Sequence, residues 1–298
     1  MASTQEFRRR IKSVNSTSQI TKAMEMVASV KMQKAQKAIF AARSYVQNSW
    51  NLLQTLSKLT SPKDHPLLAL SEKIDKTCVI LITSDRGLCG SFNADVLRKV
   101  NVFLSEENSN VDFITIGKKA TDFAKKSQKG ELVAEFPGFD NEVAYNDTTS
   151  ISKIAIDDFL AHKYQKVLVI YSHFESSLRQ VPVIKQVLPI TENHIDNPEV
   201  WEAEPSENEQ KKITEYKFEP SADQVLERLI PLFIRLQIYG AILESNSSEH
   251  SARMVAMKSA TDNATELIDD LILTYNAVRQ NSITSEIAEI CAGAEAMR

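Results

Sequence analysis

From Ser221 to Arg298 the chain carries a heptad pattern with no proline after Pro231 and only two glycines, Gly240 and Gly293. Apolar or small residues recur at alternating three- and four-residue steps: Leu226, Leu229, Phe233, Leu236, Gly240 and Leu243. After a polar interval, Ser247 to His250, the register resumes with Met254, Met257, Thr261, Ala264, Ile268, Leu271, Tyr275 and Val278. This period sets one stripe of a helix against a partner helix. At 1.5 Å per residue such a helix would extend on the order of 117 Å, more than one compact domain covers. It predicts a protruding rod, with the polar interval as a weak point in its pairing.

The partner is within the chain. Residues 4–58 contain neither glycine nor proline, and their seam runs Phe7, Ile11, Val14, Ser18, Thr21, Glu25, Ala28, Met32, Ala35, Ile39, Ala42, Val46, Ser49, Leu53 and Leu56. Ser3 or Thr4 is a candidate N-cap, and the Ser61-Pro62 and His65-Pro66 pairs predict the end of the helix. Residues 1–58 hold ten Lys or Arg against two acids, and residues 221–298 hold six against eleven. Opposite charge favours pairing between the two helices over self-pairing, although each exposed ion pair contributes only ~0–1 kcal/mol. If Leu56 lies beside Leu226, an antiparallel pair brings Phe7 near Val278. The last ~20 residues then lie beyond the pair, roughly 30 Å of helix. There Ile283, Ile287 and Ile290 keep helical spacing with no partner left in the chain. This exposed apolar stripe reads as an interaction surface; a frayed terminus folding back is the plainer alternative.

Between the helices the period changes. Thr77–Ser84, Val111–Ile116 and Lys166–Ser172 are continuous apolar runs, the mark of buried parallel strands. Glu131–Phe136 reads as a short strand, and Gln180–Ile190, with Pro182 and Pro189, as an edge strand. Helical segments are expected at 93–104, 118–126 and 150–161. Alternating strands and helices imply an open, Rossmann-like α/β sheet. The expected organisation is a coiled-coil helix over 1–60, the α/β domain over 75–190, an acidic loop and strand over 191–219, and the long helix over 220–298. Residues 191–210 carry seven acids, no Lys or Arg and two prolines, the composition of a mobile loop. Pro220 fits the first turn of the long helix, and Pro231 should kink or interrupt it.

Little in the chain suggests catalysis. Seven glycines in 298 residues is well below the usual ~7% and suits long helices. Cys78, Cys89 and Cys291 form no CxxC pair and no even framework, so they read as reduced thiols of a cytosolic compartment. No secretory signal or membrane span is evident, and the Arg-rich start (Arg8, Arg9, Arg10, Lys12) runs straight into heptad structure rather than a transit peptide. There is no phosphate loop, HExxH or GxSxG, and the five histidines are scattered. One loop has the position of a site: Ser84 to Asn93 follows a buried strand and opens a helix. Its two glycines, Gly87 and Gly90, with Asp85 and Arg86, could cradle a phosphate. The alternative is a tight turn docking the domain on the long helices. Cys89 has no histidine nearby to make it a nucleophile. Lys31, Lys34 and Lys37 could extend the basic start into a nucleic-acid track, but no aromatics interleave and the net charge is -4. A solvated face, or a track for an acidic protein, fits better.

Three stretches carry a resemblance that spans the chain in order. Ile20-Thr21-Lys22-Ala23-Met24-Glu25-Met26-Val27-Ala28-Ser29, the Ser84–Asn93 loop, and Ser251-Ala252-Arg253-Met254-Val255-Ala256-Met257-Lys258-Ser259-Ala260-Thr261-Asp262-Asn263-Ala264 resemble signatures of the gamma-subunit family of F-type ATP synthases, in its bacterial form. The resemblance implies a central rotor shaft that couples proton flow through a membrane ring to ATP synthesis or hydrolysis on an alpha/beta hexamer. It implies a non-catalytic subunit without a cofactor, peripheral on the cytoplasmic face of the bacterial inner membrane, not inserted in it and binding no nucleic acid. Its implied partners are the alpha and beta subunits, the epsilon subunit and the c-subunit ring. By motif, Lys22, Met24 and the surrounding basic helix match the part facing an acidic loop of the catalytic subunits. Arg279, Gln280, Thr284, Glu286 and Glu289 match positions that contact the hexamer, and Arg253 a position implicated in coupling. Tyr216 and Glu219 match the foot that meets the ring and epsilon. The other reading is an α/β ligand-binding module with a coiled-coil interaction arm.

Overall fold

The computed structural model describes residues 4–59, 66–68, 75–107, 109–127, 129–139, 143–190, 218–219 and 221–297. Helix α1 spans Thr4–Leu59. Strand β1 (Lys76–Ile82), helix α2 (Phe92–Glu106), strand β2 (Asn110–Ile116), helix α3 (Lys118–Lys126) and strand β3 (Leu132–Phe136) follow. Next come a 3₁₀ turn at Tyr145–Thr148, helix α4 (Thr149–Leu160), strand β4 (Lys166–Phe174), strand β5 (Gln180–Leu188) and helix α5 (Ala222–Ala296). The periodicity placed the strands and helices of the sheet domain to within two residues at nearly every boundary. Pro231 does not interrupt α5. The expected acidic loop over 191–210, the strand before Glu219, the Ser61-Pro62 stop and the N-cap at Ser3 lie outside the described residues.

The chain divides into two compact units, residues 30–252 and residues 1–29 with 253–298. In the first, the sheet has the order β3-β2-β1-β4-β5. Strands β1 to β4 are parallel, and β5 returns antiparallel to β4 at the edge. Pro182 sits in that edge strand, where a missing N–H costs least. Continuous apolar runs form the strands because both sheet faces are covered. Val79, Leu81, Phe113, Leu168 and Ile170 pack beneath α2 and α3 through Val96, Val100, Ala120 and Ala124. On the other face Ile80, Ile82, Ile114, Val169 and Tyr171 join Ile151 and Ala155 of α4, Leu53 and Leu56 of α1, and α5 from Leu226 to Leu243.

That second core corrects the single-stripe reading of α5. Leu226, Leu229, Phe233, Leu236 and Leu243 are buried, but so are Ile230, Ile234, Ile238, Ala241 and Ile242. A helix apolar all round is one that is covered all round; here both α1 and the sheet domain cover it. The polar interval is corrected as well. Ser247 and Ser248 are 0% exposed and His250 4%, so the interval is among the best-covered parts of the helix.

The unit of residues 1–29 and 253–298 is an antiparallel helix pair. The Oγ1 atoms of Thr21 and Thr261 are 2.7 Å apart, and Arg8 Nε donates to the Tyr275 hydroxyl at 2.8 Å. Ala28, Met257 and Ala264 are buried in this seam. Every α1 seam position named from the sequence in this unit is buried or half-buried, as are Met254, Ile268, Leu271 and Val278.

Candidate interaction surfaces

The paired helices leave two kinds of surface, one basic and one apolar. On α1, Arg8, Arg9, Arg10 and Lys12 are exposed. Arg10 pairs with Glu6 at 2.7 Å, and Lys22 with Glu25 at 3.0 Å; both are pairs within one helical turn. Met24 is half-buried on α1, and Arg253 is half-buried on the opposing helix. Tyr275 is flanked by two guanidinium groups, Arg8 at 5.5 Å and Arg279 at 6.0 Å from its ring centroid. Arg279 is exposed, one turn beyond Tyr275 on α5.

Beyond it α5 is bare. Gln280, Thr284, Glu286 and Glu289 are exposed, and the Thr284 hydroxyl donates to its own helix at Gln280 O, 2.9 Å. Ile283, Ile287 and Ile290 are 48%, 57% and 71% exposed. At three- and four-residue spacing they form one apolar stripe over two turns, which water solvates poorly and a covering partner would stabilise.

In the Ser84–Asn93 loop, Ser84, Asp85 and Asn93 are engaged by neighbouring groups of the domain. Asn93 Oδ1 accepts from Ser84 N at 3.1 Å, and Asn93 Nδ2 donates to Ser84 Oγ at 2.7 Å and Cys89 Sγ at 3.2 Å. Asp85 Oδ1 accepts from Lys118 N at 2.8 Å and from Gly138 N at 3.0 Å. Ala120 N donates to Thr83 Oγ1 at 2.7 Å and Lys119 N to Ser84 O at 3.2 Å. The amides at the start of α3 are thus engaged by Thr83, Ser84 and Asp85, and at the start of α2, the helix this loop opens, Phe92 N donates to Cys89 O at 3.3 Å. The loop is a tight turn, but the partners shown for Asp85 are the loops after β2 and β3. Gly90 has a φ of 57° and Leu88 a φ of 61°; Arg86, Gly87 and Gly90 are exposed.

The predicted contact residues fall into separate groups. Lys22 and Met24 share α1, while Arg279, Gln280, Thr284, Glu286 and Glu289 share the end of α5. Glu219 is exposed, and Tyr216 lies outside the described residues. Two buried polar groups escaped the sequence reading. Asp112, 3% exposed, accepts from the Tyr164 hydroxyl at 2.8 Å and pairs with Lys76 Nζ at 2.7 Å. Glu244, 5% exposed, lies 2.7 Å from His173 Nδ1. An acid inside an otherwise apolar strand was a usable signal for Asp112; Glu244 had none, because charged residues are ordinary on a long helix. Among the described residues no group of His, Cys, Asp and Glu could hold a metal ion, and no helix is long and apolar enough to cross a membrane.

With this geometry in place, comparison with known proteins is specific. The family model described as ATP synthase matches residues 3–297. The chain is 41% identical to the ATP synthase gamma chain of Pelotomaculum thermopropionicum over 299 residues, covering 100% of both chains. It is 40% identical to that of Methylacidiphilum infernorum over 301 residues, again covering 100% of both. The fold is similar to a chain of the Euglena gracilis mitochondrial ATP synthase (OSCP/F1/c-ring), with a TM-score of 0.66, 19% identity, and coverage of 99% of this chain and 94% of that one. It is also similar to a chain of the Tetrahymena thermophila central stalk/c-ring structure, with a TM-score of 0.57, 24% identity, and coverage of 81% and 99%.

Proposed function

Because the chain belongs to the ATP synthase gamma-chain family, we propose that it is the central rotor shaft of a proton-translocating F-type ATP synthase. The observation that carries this is similarity to bacterial gamma chains at about 40% identity over the full length. A shaft needs a stiff element and a bearing rather than a reaction centre. Two paired helices resist bending and twisting better than one. An apolar tip such as Ile283–Ile290 can turn within an apolar sleeve without strong directional bonds at any one angle.

In this reading the alpha/beta hexamer supplies the catalytic groups and this chain is non-catalytic. The tip residues Arg279, Gln280, Thr284, Glu286 and Glu289 face the hexamer, as does Arg253. Lys22 and Met24 face an acidic loop of the catalytic subunits. Tyr216 and Glu219 belong to the foot that meets the c-ring and the epsilon subunit. The chain sits peripherally on the cytoplasmic face of a bacterial inner membrane. A ligand-binding α/β module draws no support from the Ser84–Asn93 loop, in which Ser84 and Asn93 bond each other and Asp85 accepts from Lys118 N and Gly138 N.

Co-purification with mass measurement tests the assignment: one copy of this chain per three alpha/beta pairs is expected. Recovery without alpha and beta subunits, or in equal copy number with them, would overturn it.

A further inference from the structure

In and around its polar interval α5 is held by directional bonds. The Ser248 hydroxyl donates to Ser172 O at 2.9 Å, and the Ser251 hydroxyl to Ser177 O at 2.8 Å. Glu244 lies 2.7 Å from His173 Nδ1. These three positions are spaced i, i+4 and i+7, one stripe of a helix, and all their partners lie on β4 or the turn after it. A second stripe, Tyr239 and Asn246, is also spaced i and i+7. Tyr239 donates to Val143 O at 3.2 Å, and Asn246 Nδ2 to Phe139 O at 2.9 Å. At about 100° per residue the two stripes are roughly 150° apart around the axis. The helix is therefore gripped from two nearly opposite sides.

Apolar packing alone would not set its angle so firmly. Dispersion contacts are many and individually shallow, whereas hydrogen bonds weaken steeply with distance and misalignment. A side-chain oxygen roughly 5 Å from the axis moves ~1 Å for a 10° turn, enough to break a 2.8 Å bond. With bonds on both sides, rotation in either sense stretches one set. Burying polar side chains where isoleucines lie one turn away costs stability unless every group is paired. Their placement here serves geometry more than cohesion.

We propose that Glu244, Ser248 and Ser251, with Tyr239 and Asn246 on the other side, form a polar key that locks α5 against rotation within the α/β domain. Torque applied to the domain then passes into the helix without slip. The inference rests on the rotor-shaft reading and names the residues that would carry load within it.

The test uses the chain assembled with alpha and beta subunits. The hexamer is immobilised and a bead is attached through Lys99→Cys on exposed α2, in a Cys291→Ser background that removes the exposed native thiol. Angular fluctuation of the bead is recorded in the stalled state. Ser248→Ala with Ser251→Ala is expected to widen the angular variance at least twofold, and restoring a hydroxyl with Ser251→Thr to narrow it again. An unchanged variance overturns the key, as does a lowered melting temperature without widening. If the double variant does not assemble, Ser251→Ala alone is read, with a smaller widening expected and no widening overturning the proposal. If the parent chain does not rotate with alpha and beta subunits, the rotor-shaft reading fails instead.

Discussion

Thr21 and Thr261 are 240 residues apart in the chain, yet their hydroxyl oxygens are 2.7 Å apart across the helix pair. Within its own helix the Thr261 hydroxyl also lies 2.8 Å from Met257 O, and the Thr21 hydroxyl 3.0 Å from Ser18 O. Each hydroxyl has one proton, so one threonine donates across the seam and the other back along its helix. Moving from Thr21 to Arg8 steps back thirteen residues, while its partner moves forward fourteen, from Thr261 to Tyr275. The antiparallel register thus agrees to within one residue at the two contacts.

Thr21→Val or Thr261→Val singly should destabilise the chain by about 1 kcal/mol, because each leaves a half-buried hydroxyl without its cross-helix partner. The double variant should cost less than the two singles together, with a coupling of ~0.5–1 kcal/mol. Urea unfolding of the four proteins measures this; strictly additive losses would contradict the contact.

Gly117 has a φ of 93°, and a Cβ there would lie 2.1 Å from Thr83 O. Gly117→Ala should therefore cost roughly 2 kcal/mol or more, as neither backbone can move without breaking the β1–β2 ladder. Gly293, with nothing within 4 Å, is a helical glycine in open space. Gly293→Ala should leave the melting temperature unchanged or raise it slightly, since alanine favours a helix by ~1 kcal/mol. Thermal unfolding of the two variants should diverge in sign.

Burial pushes the Cys78 thiol from 9.0 up to about 12. Burial also raises Tyr164, Tyr171 and Tyr239, helped by Asp112 beside Tyr164 and Glu244 beside Tyr171. The hydrogen bond to Asp112 raises Lys76. Each folded-state value lies above the ordinary one, so the folded protein holds these protons more tightly. Their stabilisation is complete below pH ~9 and is lost as pH rises toward 12. Melting temperature should fall steadily between pH 9 and 12, and less steeply in Cys78→Ala. At pH 8 a maleimide should label Cys291 alone in the native protein, since Cys78 and Cys89 are buried.

Ile287→Asp with Ile290→Asp removes two of the three isoleucines of the tip stripe without touching any packed residue. The isolated chain should change by less than ~0.5 kcal/mol, as exposed substitutions do. Recovery of alpha and beta subunits with the tagged chain should fall severalfold, because two buried carboxylates would replace apolar contacts. Equal recovery would exclude the tip as a hexamer contact.

Met24→Lys adds a cation to an already basic helix. In the proposed assembly it should strengthen attraction to an acidic partner loop at one angle of rotation. Proton pumping should then fall more than ATP hydrolysis does. Proportional loss of both would refute the assignment of Met24 to that interface.

Much of this architecture is written in periodicity. Heptad spacing identified both long helices, the Leu56–Leu226 alignment anticipated the register that Thr21–Thr261 and Arg8–Tyr275 display, and unbroken apolar runs marked β1, β2 and β4. The bare stripe of Ile283, Ile287 and Ile290 followed from length alone, because α1 has no residues left to cover it. These features are local or one-dimensional, and a period is a property of the chain itself.

What surrounds a helix is not. Ile230, Ile234 and Ile238 lie outside the heptad seam, and only the packed sheet shows why they are apolar. Ser247 to His250 looked like a gap in the pairing because a one-dimensional pattern counts polar residues as solvent-facing. In three dimensions the hydroxyls of Ser248 and of Ser251, which follows His250, meet the carbonyls of Ser172 and Ser177, more than seventy residues away in the chain. The sequence by itself determined which segments are helix or strand and which helices pair. Tertiary structure decided which polar groups are buried and what satisfies them, because a hydrogen-bond partner is chosen by position in space and not by separation along the chain.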